Sequence, residues 1–213
     1  ATEYPGNVIA ATINLGAGSR VYESGFADSA KIGTLVEAIH DSISVRLNRG
    51  IQIGKICLTA FSAGYGAVRK ILSSKANYER VNGVLLLDGI HTGYIPERRV
   101  LAEGGLIDST GLEIFLKLAS DASTHGSKKR FLITHSEIFP GTFVSTTEAT
   151  DYLLRKLDIP RAPVLEWGPL GMQQLSLARR NHFSVLGFAG NTAPDHIDHY
   201  HGLFFFLREL DKH

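Results

Sequence analysis

The sequence predicts an α/β domain over residues 1–213, with a mostly parallel sheet of about five or six strands and helices on both faces. Two observations carry this. Short β-branched apolar runs recur along the chain, and segments of helical period separate them. At 213 residues, of which 44% are hydrophobic, the chain is long enough to bury one core and short enough for one domain.

The runs expected to form strands are Val8–Ile13, Lys55–Phe61, Gly83–Leu87, Arg130–Thr134 and Phe183–Ala189. Between them, helices are expected at Ser29–Leu47, Gly64–Ser73, Gly111–Ala122 and Thr147–Leu157, and from about Pro194 to Leu210. In the first helix Ile32, Leu35, Val36, Ile39, Ile43 and Leu47 fall at helical spacing and predict one buried face. The last begins near Pro194, where a missing N–H costs little, and carries Ile197, Tyr200, Leu203, Phe204, Leu207 and Leu210 on its apolar side. Ile90–Thr110 and Pro160–Asn181 fit neither pattern and exceed ordinary connections, so they read as loops bordering a site.

Composition narrows the function classes. Lys plus Arg number 22 against 21 Asp plus Glu, for a net charge of +1 without long runs of one sign, which argues against nucleic acid or an anionic membrane as partner. The single cysteine, Cys57, cannot form an intramolecular disulfide and reads as a small buried apolar residue. No stretch approaches the roughly 20 apolar residues of a membrane span. Ala1–Gly6 lacks the basic and apolar regions of a signal peptide, as would a secreted chain whose leader had been removed. Composition fixes neither oligomeric state nor compartment.

The strongest chemical signal is Leu58-Thr59-Ala60-Phe61-Ser62-Ala63-Gly64-Tyr65-Gly66, placed where a strand ends and a helix begins. A serine on so sharp a turn needs an unusual backbone and small neighbours two positions to either side, which Ala60 and Gly64 supply. The turn lifts the hydroxyl out of the carboxyl edge of the sheet, and the Ala63 N–H can face a developing oxyanion. Ser62 as a plain helix cap is the competing reading.

Ala60-Phe61-Ser62-Ala63-Gly64 resembles the nucleophile elbow of the α/β-hydrolases, with Ala in place of the first Gly. Ile13-Asn14-Leu15-Gly16-Ala17-Gly18-Ser19 resembles that family's His-Gly-x-Gly oxyanion loop, departing from it at Leu15. The order of elements extends the likeness over nearly the whole chain, and the lack of opening antiparallel strands is similar to the minimal, cutinase-sized members. The resemblance implies a serine esterase of lipase-like type, with no cofactor and no metal, acting on a small-molecule or lipid-like ester. It places the oxyanion donors at the N–H groups of Ala17 and Ala63.

A serine needs a base to accept its proton and a carboxylate to orient that base. In the family the histidine follows the last strand, here in Gly190-Asn191-Thr192-Ala193-Pro194-Asp195-His196-Ile197-Asp198-His199-Tyr200-His201. His196 ranks first because it lies nearest the strand, and His199 second. For the acid, Asp88 directly follows Gly83–Leu87 and is favoured over Glu137, which follows the next strand. The expected triad is therefore Ser62, Asp88 and His196. An acyltransferase or amidase would use the same residues, and a non-catalytic binding domain could share the scaffold.

Two other readings are weaker. Gly16-Ala17-Gly18-Ser19-Arg20-Val21 is similar to a dinucleotide-binding turn, but Val21 replaces the third Gly and the next helix is expected only near Ser29. Asp195, His196, Asp198, His199 and His201 could ligate zinc, but the histidine spacing is three rather than four and no second ligand group is evident. Tyr65, Tyr94, Phe139, Trp167 and Met172 are candidate apolar lining for a pocket.

Overall fold

The structure is a computed structural model that describes residues 7–212. The reading of Ala1–Gly6 as lacking a signal peptide falls outside the described residues.

In chain order the elements are α1 (Ser19–Gly25), α2 (Lys31–Leu47), β1 (Ile56–Phe61), α3 (Tyr65–Leu72), α4 (Lys75–Arg80), β2 (Val81–Leu87), β3 (Tyr94–Ile95), β4 (Leu106–Ile107), α5 (Glu113–Ala122), β5 (Arg130–His135), α6 (Thr146–Lys156), β6 (Ala162–Trp167), β7 (Gln173–Arg180), β8 (Phe183–Phe188), α7 (Ala193–His201) and α8 (Leu203–Lys212). Six strands form one sheet in the order β1-β2-β5-β8-β7-β6, and β3 and β4 pair separately. The first four of the six are mutually parallel, while β7 runs antiparallel to both β8 and β6. The coarse expectation of an α/β architecture with a mostly parallel sheet therefore holds.

β2 shows why the three inner apolar runs, those of β2, β5 and β8, read as strands. Val84, Leu85, Leu86 and Leu87 are all fully buried, because a central parallel strand has helices on both sides. On one face Val84, Leu86, Phe131, Ile133, Phe183 and Val185 pack against α3, α5 and α6. Here Phe131 stacks between Phe115 at 6.2 Å and Phe183 at 5.4 Å. On the other face Leu85, Leu87, Leu132, Leu186 and Phe188 meet Phe206 and Leu210 of α8. Each such side chain removed from water contributes about 1.5–3 kcal/mol before the entropy of ordering is charged against it.

Several expectations are corrected. Among the described residues Val8–Ile13 pairs with no strand, Val8, Ile9 and Ile13 are exposed, and β1 ends the sheet. As an edge strand, β1 leaves Cys57 and Thr59 exposed while Ala60 is buried, so Cys57 is not the buried residue its apolar neighbours suggested. α2 forms as expected, yet only Ile32 of its apolar stripe is buried, and Leu47 is exposed. A further short helix, not expected from the sequence, begins at Ser19 directly after the Gly16–Gly18 turn, ahead of α2.

The final helix is two. Gly202 separates α7 from α8, and a Cβ there would lie 2.8 Å from the Phe206 ring. The break resets the helical phase, so His199, Phe206 and Leu210 are buried while Ile197, Tyr200 and Phe204 are exposed. Neither long loop is structureless. Ile90–Thr110 contains the β3–β4 pair, and Pro160–Asn181 is largely the β6–β7 hairpin. Among the described residues no helix is long and apolar enough to cross a membrane.

Candidate active site

Parallel pairing brings Ser62 and Asp88 together. Phe61 lies opposite Leu87 in the β1–β2 register, so the next residue of each strand leaves the same carboxyl edge side by side. Both residues adopt left-handed backbone, with φ +49° at Ser62 and +43° at Asp88. A side chain with a Cβ visits that region at a cost of about 1–3 kcal/mol, which surrounding packing must offset. At Ser62 the small neighbours do so, since a Cβ on Gly64 would stand 3.3 Å from the Ala60 Cβ. Gly89 closes the other side: a Cβ there would come within 2.2 Å of the Ser62 carbonyl oxygen, so its bare backbone packs directly against Ser62.

His196 arrives from the opposite end of the chain. Thr192 and Asp195 form a capping box in which the Asp195 carboxylate accepts from the Thr192 N–H at 2.8 Å and from its hydroxyl at 2.6 Å, fixing where α7 begins. Gly190, at φ +118°, leaves room for this: a Cβ there would overlap the Asp195 carboxyl. His196 sits on the first turn so formed. Its ring packs against that of Phe61, the residue before Ser62, with centroids 4.5 Å apart. Its Nδ1 donates to Asp88 Oδ2 at 2.8 Å, which leaves Nε2 as the proton acceptor of the neutral ring.

The Asp88 carboxylate is almost wholly buried. Burial alone would raise its pKa, but the hydrogen bond to His196, the charge of nearby His199 and two hydrogen bonds from Ser136 overcome that and hold it down at about 2. Asp88 is therefore ionised at neutral pH.

Glu137 lies elsewhere. Its N–H donates to the Gly190 carbonyl at 2.8 Å, its carboxylate accepts from the Gly190 N–H at 3.3 Å, and the residue is exposed. His199 is fully buried between Phe188 and Phe206, with Nδ1 2.7 Å from Thr134 Oγ1. Its Nε2 has no hydrogen-bond partner among the described residues. Thus the structure joins Asp88 to His196 and directs Glu137 and His199 to other partners.

Of the two oxyanion candidates, Ala63 is the middle residue of the Ser62–Gly64 turn. Ala17 lies between Gly16 and Gly18, both with positive φ, in an exposed turn held by the Gly16 N–H donating to Asn14 Oδ1 at 3.0 Å. This turn leads into α1, which packs across α3 and the Ser62–Gly64 turn and is tied to α3 by a Glu23–Arg69 ion pair.

The zinc reading loses its cluster. Asp195 is spent on Thr192, His196 on Asp88 and His199 on Thr134, and among the described residues no three such side chains converge to hold a metal. The dinucleotide reading loses its strand, because none precedes Gly16 among the described residues.

The expected apolar lining divides. Tyr65, Tyr94 and Met172 are buried in the structure, and Phe139 and Trp167 are exposed. Two aromatic groups not singled out in the sequence flank the site instead. Tyr200 lies 5.4 Å from Phe61, and His91 lies edge-on between Tyr65 at 5.5 Å and Phe143 at 5.0 Å. Burial lowers the pKa of His91, whose Nδ1 donates to the Val144 carbonyl at 3.1 Å, so it lines this flank as a neutral ring. Ser136 is a further polar residue that sequence reasoning passed over; only its place at a strand end could have drawn notice.

Burial also sets an acid limit on the fold. It presses His199 down to about 4, against an ordinary value near 6.5. The unfolded chain binds this proton first, so stability is complete above about pH 6.5 and falls as pH drops toward 4, by about 3 kcal/mol in all. Urea titrations at pH 7 and pH 4.5 should show this loss, and His199→Phe should flatten it.

The chain matches no protein-family model, no curated protein and no solved structure.

Proposed function

We propose that this protein is a serine hydrolase of the α/β-hydrolase type that cleaves a carboxylic ester through an acyl-enzyme. The reading rests on one observation above the others: a buried, ionised Asp88 accepts the Nδ1–H of His196 at 2.8 Å, and the ring it orients packs on the residue before a left-handed Ser62. An acid and the base it orients thus stand beside Ser62, drawn from the ends of β1 and β2 and from the first turn of α7.

In this mechanism His196 Nε2 takes the Ser62 proton as Oγ attacks the ester carbonyl. The N–H groups of Ala63 and Ala17 receive the oxyanion, and Asp88 stabilises the imidazolium without itself taking the proton. Collapse of the tetrahedral intermediate transfers that proton to the departing alcohol and leaves the acyl group on Ser62. Water, activated by the same Nε2, then releases the acid.

The surroundings favour an uncharged acyl or aryl group. Phe61, Tyr200, His91 and Phe143 supply aromatic surface on two flanks. A separate cavity of about 400 Å³, lined by none of Ser62, Asp88 and His196, opens beside His135, Glu137, Phe139, Arg161 and Phe188. There Arg161 is paired with Asp151 at 2.6 Å. A panel of p-nitrophenyl esters of increasing acyl length should show hydrolysis with a preferred length. Uniform inactivity toward the panel would contradict the ester reading.

A further inference from the structure

Ser136, one residue beyond β5 and essentially inaccessible, touches neither Ser62 nor His196 through any hydrogen bond, yet it holds both oxygens of Asp88. Its N–H donates to Oδ1 at 3.0 Å and its hydroxyl to Oδ2 at 2.6 Å, the same oxygen that accepts from His196 at 2.8 Å. The backbone explains the placement. Leu87 lies opposite Thr134 in the β2–β5 register, and the Asp88 N–H continues the ladder to the Thr134 carbonyl at 3.0 Å. Asp88 then turns left-handed and aims its carboxylate at the next N–H along β5, that of Ser136. Side chains alternate along a strand, so Thr134 and Ser136 point to the face that α7 covers.

Ser136 is itself anchored from the other side of the sheet. Its carbonyl accepts from His135 Nδ1 at 3.0 Å and from the Thr147 hydroxyl, on α6, also at 3.0 Å. A continuous chain of hydrogen bonds therefore runs from α6 through Ser136 and Asp88 to His196.

We propose that Ser136 is a positioning residue for the reaction, fixing the plane of the Asp88 carboxylate so that one oxygen faces His196 and the histidine presents Nε2 to Ser62. This rests on the hydrolase reading above. A carboxylate held by His196 alone could rotate about its terminal torsion, which is broad for aspartate, and the histidine would follow it. Two donors from one rigid strand end remove that freedom, and hydrogen bonds to a charged acceptor are the stronger kind.

The test uses the second-order rate of covalent labelling by a fluorophosphonate, which needs no knowledge of the natural substrate. Ser136→Ala should lower that rate by roughly 10- to 100-fold, the range for losing a hydrogen bond to a charged group, and Ser136→Thr should recover part of the loss. In an Asp88→Asn background Ser136→Ala should add little, because a residue that acts through Asp88 has nothing left to position. The low-field proton resonance of His196 Nδ1–H should shift in Ser136→Ala. Should that variant fail to fold, Ser136→Cys fills the same space with a weak donor and must show the same loss.

Wild-type labelling rates in Ser136→Ala, losses that multiply with Asp88→Asn, or an unmoved His196 resonance would overturn the positioning role alone. Failure of the wild type to react at all would overturn the hydrolase reading, and this role with it.

Discussion

Turnover should disappear when Ser62 is replaced by alanine, falling by about 10⁶-fold on the pattern of serine hydrolases in which the nucleophile is removed. Little else should change. Ser62 is only partly buried, and alanine occupies the same left-handed backbone at a similar cost. Stability should stay within about 1 kcal/mol of the wild type, as expected for a substitution that opens no cavity and orphans no buried group. Ester hydrolysis kinetics with a parallel urea titration check both halves. An inactive but unfolded variant would say nothing of chemistry, whereas a folded, fully active one would remove Ser62 from the mechanism.

His196→Ala should approach the loss caused by removing Ser62, and Asp88→Asn should cost about 10⁴-fold, since an acid that orients the base matters somewhat less than the base. The asymmetry with Glu137 is the sharper expectation. Glu137→Gln keeps a side-chain oxygen facing the Gly190 N–H at an exposed position, and should change kcat/KM only a few-fold. Steady-state kinetics on the three variants decide the assignment. A crippled Glu137→Gln beside an active Asp88→Asn would move the acid to the next strand, against the 2.8 Å bond between His196 and Asp88.

β2, β5 and β8 were legible because burial on both faces demands an unbroken apolar run, as in Val84–Leu87, whereas the edge strand β1 was legible from the serine turn that ends it. The β6–β7 hairpin was not. Pro163 interrupts β6, Gly168, Pro169 and Gly171 crowd the turn, and β6 is exposed along most of its length, so neither alternation nor an apolar run marks it. Val8–Ile13 shows the reverse failure, for an apolar β-branched run records a capacity for burial and not the partner that would provide it.

At the site, Ser62 and Asp88 were legible as strand ends that share an edge. The choice between His196 and His199 turned on where α7 starts, and the Thr192-Ala193-Pro194-Asp195 capping pattern that fixes this start stood in the sequence. Ser136 carried no comparable signal, since its role depends on strand register and on the left-handed turn at Asp88.

If Ser62 is an activated nucleophile, it should be the site of covalent modification. The wild-type protein is incubated with a serine-directed fluorophosphonate at neutral pH, and its intact mass and peptides are then analysed. A single adduct is expected, on the peptide carrying Ala60-Phe61-Ser62-Ala63-Gly64. An adduct on a different serine, or none on a folded protein, would contradict that role for Ser62.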